Sequence, residues 1–318
     1  MLDLISVGEM VIDFLPGEEA GVYIRKAGGA PANAAIAVAR NRLFAGFCGR
    51  VGADDFGRFL LDTLKENQVA VLCPAMVEEA VTTMAFVTLG PGGERSFTFA
   101  RKPGADMFLT KADVDVALAQ GARILHAGSC SLSAPPASEA TAYALSQASK
   151  RGYMVSFDVN YRDLMWGGDR AAARASVAAI LPYVDLLKIS EEETDFMGGQ
   201  EGIQAMAAET GIAVVVETLG AQGARCYWQD AVWELPGRPA KAVDATGAGD
   251  AFVGSMLLQL AHLSPGELGG LDEQSLREMV DFANAAGSLT TTRKGAIPAM
   301  PTREEIQQCR ASASLLDG

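Results

Sequence analysis

Asp244-Ala245-Thr246-Gly247-Ala248-Gly249-Asp250 stands directly before residues 251–263, Ala-Phe-Val-Gly-Ser-Met-Leu-Leu-Gln-Leu-Ala-His-Leu. The second stretch is apolar nearly all round, which predicts a helix buried on most faces with its N-terminus inside the protein. A helix start leaves backbone N–H groups unpaired and carries partial positive charge. Gly247 and Gly249 have no side chains to keep an anion from those donors. Asp250 then faces whatever anion docks there. Asp is also a common helix cap and Gly a common turn former, so capping is the competing account. Asp244 and Thr246 add an acceptor and a hydroxyl that capping does not require. The dinucleotide motif Gly-x-Gly-x-x-Gly is unmatched here, and Gly-x-x-x-x-Gly-Lys-Ser/Thr occurs nowhere in the chain.

Outward from this stretch the chain alternates. Residues 4–7 read as a strand, 31–43 as an alanine-rich helix with Pro31 in its first turn, and 46–51 and 56–67 as strand and helix again. Then come strand 123–127, helix 135–150, strand 153–158, helix 169–181, strand 184–189, helix 200–210 and strand 212–217. Such alternation predicts a mostly parallel sheet covered on both faces, with ligands at the carboxyl ends of the strands. Two stretches break the pattern. Residues 10–26 carry β-type segments around Pro16-Gly17, and 82–100 read as a hairpin about Gly90-Pro91-Gly92-Gly93. These are read as one small β-layer, with 1–9, 27–81 and 101–318 as the α/β core; an immobile edge hairpin is the alternative.

The 318 residues, 49% of them hydrophobic, suffice for a large core. A net charge of -13 argues against a nucleic-acid or anionic-membrane partner. The five cysteines are scattered singly and only two histidines accompany them, so neither a zinc site nor a disulfide framework is expected. With no basic region before the first apolar stretch and no run of membrane-spanning length, cytoplasmic residence is the default expectation.

Residues 244–252 resemble the C-terminal signature of the ribokinase-like (PfkB) sugar kinases. Residues 28–40, Gly-Gly-Ala-Pro-Ala-Asn-Ala-Ala-Ile-Ala-Val-Ala-Arg, and 49–57, Gly-Arg-Val-Gly-Ala-Asp-Asp-Phe-Gly, resemble the family's N-terminal pattern. The resemblance implies a ribokinase-like three-layer α/β/α fold with a mostly parallel central sheet. It also implies a small β-sheet lid over the sugar that can carry a homodimer contact, and ATP-dependent phosphorylation of a sugar with Mg²⁺. A monovalent cation such as K⁺ belongs to some relatives.

On the donor side the resemblance assigns Thr218, Gly220 and Gly223 to a nucleotide loop and Asn284 to the adenine region. Glu193 is placed near Mg²⁺ through water, with Ser190 standing where the family usually has Asn; Asp244 and Thr246 are placed near the monovalent cation. Lys188, on an apolar strand, needs an anionic partner or solvent and joins the nucleotide's set. On the acceptor side it assigns Asp13, Gly28, Gly29 and Asn33. Asp158, Asn160 and Arg162 share one side if their strand stays extended, which suits a polyol; Arg95, Arg101 and Arg162 also suit an acceptor with a carboxylate. Asp250 is the expected base, for which an ordinary carboxylate pKa of about 4 suffices, and the N–H groups of Gly247, Ala248 and Gly249 are the expected anion hole. Residues 94–107 and 282–301 look most like the fructokinase branch, although Ala100 replaces a usual aromatic. Kinases of 2-keto-3-deoxygluconate, ribose or nucleosides are the alternatives, and a non-catalytic sugar or nucleotide sensor is the alternative of another class.

Overall fold

In β1 (Leu2–Val7) the successive residues Leu4 and Ile5 are both buried, each in a different hydrophobic cluster. A strand apolar on alternate sides must be covered on both. The computed structural model describes residues 1–17, 19, 21–89 and 95–314 and supplies both covers.

From β1 the chain passes through β2 (Val11–Pro16), β3 (Tyr23–Gly28), α1 (Ala30–Arg40), β4 (Ala45–Cys48), α2 (Asp55–Glu66) and β5 (Ala70–Val71) to β6 (Met84–Leu89) and β7 (Arg95–Ala100). It continues as α3 (Lys111–Leu118), β8 (Ala122–Gly128), α4 (Ala137–Lys150), β9 (Met154–Asp158), α5 (Arg170–Ile180), β10 (Leu186–Ser190), α6 (Gly199–Thr210) and β11 (Val214–Thr218). The last part holds β12 (Gly223–Trp228), β13 (Ala231–Pro236), α7 (Ala248–Leu260), α8 (Pro265–Gly269), α9 (Glu273–Thr291), α10 (Ala296–Ala299) and α11 (Arg303–Ser314).

The main sheet runs β13-β12-β11-β10-β9-β8-β1-β4-β5. It is parallel from β11 to β5, and β12 and β13 extend it antiparallel. Helices α1, α2, α7 and α9 cover one face with Leu4, Ile124, Met154 and Leu186 beneath them. Helices α3 to α6 cover the other with Ile5, Leu125, Val155 and Leu187. The fold is therefore the three-layer α/β/α arrangement that the alternation predicts. The β12–β13 hairpin went unread: its turn is Gln229-Asp230, with Gln229 at φ 51°, rather than the Asn-Gly or Asp-Gly that signals such a turn.

Strand order reverses at β1, with β4 on one side and β8 on the other, and a cleft opens where neighbouring connections diverge. Residues from the two stretches that break the alternation form a second sheet, β3-β2-β6-β7. Here β2 pairs parallel with β6, and the two outer pairs are antiparallel. Phe14 stacks on Phe86 at 4.8 Å and meets Phe56 of α2 edge-on at 5.6 Å, which ties this sheet to the core. The turn read at residues 90–93 lies outside the described residues.

Helix α7 begins at Ala248 rather than at residue 251, with Gly247 as N-cap at φ 80°. Only glycine suits that place, since the backbone is left-handed and a Cβ would stand 2.6 Å from the Cβ of Ala296. Among the described residues no helix is long and apolar enough to cross a membrane.

Candidate active site

Asp250 lies in the first turn of α7, yet its carboxylate caps nothing. Its Oδ2 accepts a hydrogen bond from Asn33 Nδ2 at 2.7 Å, joining residues 217 apart in the chain. The capping account of this aspartate therefore fails. Asn33 is delivered by the start of α1, where Gly29 at φ 113° is the N-cap and Pro31 occupies the first turn. A Cβ on Gly29 would come within 2.5 Å of the Glu9 carbonyl oxygen, so the turn admits glycine alone. The other oxygen of Asn33, Oδ1, is buried without a protein partner and can accept from a ligand hydroxyl.

One of the three N–H groups expected to form an anion hole is already paired. The Ala248 N–H donates to the Ala245 carbonyl at 3.2 Å, because residues 245–248 close a tight turn. The N–H groups of Gly247 and Gly249 have no acceptor among the described residues. Beneath them lies Lys188, whose Nζ would be 3.3 Å from a Cβ on Gly249. Lys188 is buried and pairs with Asp158 at 3.1 Å, as the register of β9 and β10 dictates, so its anionic partner is an internal one. Burial alone would lower its pKa, but Asp158, Glu193 and Asp250 together hold it above the ordinary value.

Glu193 uses both oxygens as a brace. Oε1 accepts from the Tyr161 N–H at 2.6 Å and Oε2 from the Ser190 N–H at 2.8 Å. Ser190 and Glu193 form a capping box, which is what serine does here in place of asparagine. β9 ends at Asp158, as expected, and Asn160 turns the chain at φ 36°, so the extended continuation that would set Asp158, Asn160 and Arg162 on one side does not form. Asn160 is buried, with its N–H on Asp158 Oδ1 at 3.2 Å. Arg162 returns to the cleft rim, where its charge acts on both Asp13 and Asp250.

Asp13 projects from β2 against Gly28, where a Cβ would overlap its Oδ2. Burial, then the charge of Asp250, push Asp13 up to about 6, with Arg162 opposing. Asp250 is also raised, chiefly by burial and further by Asp158, while Asn33, Lys188 and Arg162 oppose. Glu9 escaped the sequence reading because a single glutamate after a strand makes no pattern. It is buried, its Oε2 has no partner, and burial raises it to about 7.

Arg101 departs from expectation. All five N–H groups of Arg101 are committed: two to Asp106 Oδ2 at 2.9 and 2.7 Å, and others to Ser133 Oγ, Met165 O and Cys130 O. It has no donor left for an acceptor molecule. Arg95 opens β7, and its side chain lies outside what the structure describes.

The residues expected to hold the nucleotide and a monovalent cation lie at the end of β11, in the turn into β12, on α9 and just before α7. Thr218 ends β11 and donates through Oγ1 to Ile189 O at 3.3 Å; Gly220 follows at φ 56°. Gly223 sits at φ 106° with the backbone of residues 235–237 packed where a Cβ would go, so the β12–β13 hairpin itself requires glycine. Asn284 on α9 is buried, its Nδ2 reaching the carbonyls of Leu235 and Pro236 at 3.5 and 3.4 Å. Asp244 Oδ1 accepts from the N–H and Oγ1 of Thr246 at 3.0 and 2.6 Å, and Oδ2 from the Gly295 N–H at 2.9 Å.

Residues 1–303 match the pattern of the pfkB family carbohydrate kinases. The chain belongs to that family. This pfkB kinase is 39% identical over 320 residues to fructokinase-1 of Oryza sativa subsp. japonica, with 98% of each chain covered. It superposes on the fructokinase with bound ATP from Xylella fastidiosa with a TM-score of 0.91 at 32% identity, over 99% of this chain and 100% of that one. The fructokinase of Vibrio cholerae O395, solved with fructose, ADP and calcium ion, matches at a TM-score of 0.84 and 36% identity, over 96% and 97%. A double mutant of the latter was solved with fructose, ADP and potassium ion. The pfkB kinase is accordingly a phosphotransferase acting on a sugar hydroxyl.

Proposed function

We propose that this kinase is a fructokinase that acts in the cytoplasm, transferring the γ-phosphoryl group of ATP to D-fructose to give D-fructose 6-phosphate and ADP. Full-length likeness to fructokinases carries the choice of sugar. Asp13, the free Oδ1 of Asn33, the backbone at Gly28 and Gly29, Asn160 and Arg162 seat the sugar, and Arg95 stays among its candidate contacts. Asp250, oriented by Asn33, accepts the proton as the hydroxyl oxygen attacks phosphorus in line. The N–H groups of Gly247 and Gly249, with Lys188 behind them, face the phosphoryl oxygens where charge develops. Thr218, Gly220, Gly223 and Asn284 line the nucleotide's place. Residues 10–26 and 82–100 serve as the lid, and the exposed Val22, Tyr23 and Ile24 along its outer strand suit a homodimer contact.

The donor set fits Mg²⁺ held mainly by nucleotide phosphates: each Glu193 oxygen takes one backbone N–H and keeps lone pairs for bridging water. When bound, the ion neutralises phosphate charge. Beside a monovalent cation such as K⁺, Asp244 and Thr246 shape the loop, since the Asp244 oxygens already hold residues 246 and 295.

Coupled assay of ADP formation against fructose, 2-keto-3-deoxygluconate, ribose and adenosine tests the reading. Fructose is expected to give the highest kcat/KM. Preference for the keto acid overturns the choice of sugar, and absence of any sugar-dependent ADP formation favours a non-catalytic sensor.

A further inference from the structure

The hairpin of β6 and β7 leaves and rejoins the core at one buried carboxylate. Asp106 Oδ1 accepts from Thr83 Oγ1, immediately before β6. Asp106 Oδ2 accepts twice from Arg101, immediately after β7. The side chains of Asp106 and Arg101 are only 1% and 7% exposed. Arg101 spends its remaining donors on Ser133, Met165 and Cys130, so the exit of the hairpin is bound to two further core segments. The space is filled: a Cβ on Gly104 would stand 2.7 Å from both Arg101 Cγ and Asp106 Oδ1.

This junction reaches the sugar side through the sheet. The Thr83 carbonyl accepts the Ile12 N–H of β2 at 2.9 Å, and the next residue of β2, Asp13, is in register with Ala85 of β6. A shift of β6 at its root therefore shifts Asp13.

We infer that Asp106 is a positioning residue for the acceptor site, fixing both roots of the β6–β7 hairpin through Thr83 and Arg101 and thereby setting the place of Asp13. The inference rests on the fructokinase reading for its kinetic consequence, but not for its structural one. Asp106 touches no reacting atom in this scheme. Its effect belongs in sugar affinity, not in the chemical step.

Thr83→Val removes only the bond at the hairpin's entry and keeps its volume. The expected result is a fructose KM raised roughly 5- to 50-fold with ATP KM and kcat nearly unchanged, as loss of one buried hydrogen bond allows. Amide exchange is expected to quicken in β6 and β7 while β9 and β10 stay protected. Thr83→Ser restores the hydroxyl and is expected to restore both values; Asp106→Asn is expected to exceed Thr83→Val in both. Unchanged exchange in β6 and β7, or equal loosening of β9 and β10, overturns the inference. Should wild type fail to phosphorylate fructose while Thr83→Val still loosens β6 and β7 alone, the sugar assignment falls and the junction stands.

Discussion

The first turn of α7 and the four-stranded sheet, which the proposed function places on opposite sides of one reaction, are built by opposite means. At α7, seven consecutive residues make the feature, with glycine stereochemistry and backbone donors fixing the geometry. In the sheet, Asp13 owes its place to strand register, to the space left by Gly28 behind it and to the side chain of Phe86 stacked on Phe14. The former resists small displacements because backbone defines it. The latter can be retuned residue by residue, so rate should reside at α7 and sugar affinity in the sheet.

The strongest way to break that division is Asp250→Asn. Its expected outcome is a kcat lower by roughly 100- to 10,000-fold with little change in fructose Kd, checked by steady-state kinetics and calorimetry. A loss confined to affinity would erase the distinction. Next in size, Gly28→Ala pushes on the Asp13 carboxylate and is expected to raise fructose KM by about 10- to 100-fold while kcat falls much less. An equal fall in kcat would show that the two regions move as one.

Acidity sharpens the comparison further. Asp250 must be ionised to accept a proton and Asp13 binds hydroxyls more strongly when ionised, and both are raised above their ordinary values. The kcat/KM for fructose should therefore fall about tenfold per unit as pH drops below about 6, the value of Asp13. A limb near the ordinary carboxylate range, in a profile measured from pH 4 to 8, would mean that the cleft is solvated. The smallest effect is on stability. Glu9 titrates at about 7 when folded against an ordinary 4.5, so its neutral form favours the fold, and that contribution is lost as pH rises through 7. Urea unfolding of Glu9→Gln should show a gain over wild type at pH 8 that is larger than at pH 5, on the order of 1–3 kcal/mol. An equal difference at both pH values would place the carboxyl in water.

How much of this was legible follows the same line. The layers could be read from the alternation, because apolar periodicity is local. Gly247, Gly249 and Asp250 could be read because they are contiguous. Asp13 and Asn33 needed the family resemblance, since nothing near either residue shows what it faces. Three features were beyond a linear reading. The turn at Asn160 interrupts an apparently extended run without glycine or proline; the Ala248 N–H is taken by a carbonyl three residues back; and the donors of Arg101 are exhausted by partners at 106, 130, 133 and 165. Each depends on which polar groups meet after packing, and burial decides those meetings.

The bond between Asn33 and Asp250 also has a consequence for biosynthesis. At about 5–20 residues per second, a ribosome takes roughly 10–40 s to add the 217 residues that separate them. At the start of that interval the nascent chain carries Asp13, Gly28, Gly29 and Asn33, but neither the proposed base nor the turn proposed to hold phosphate. On the proposed assignment, reactivity toward ATP is withheld until α7 has been made and has packed against α1.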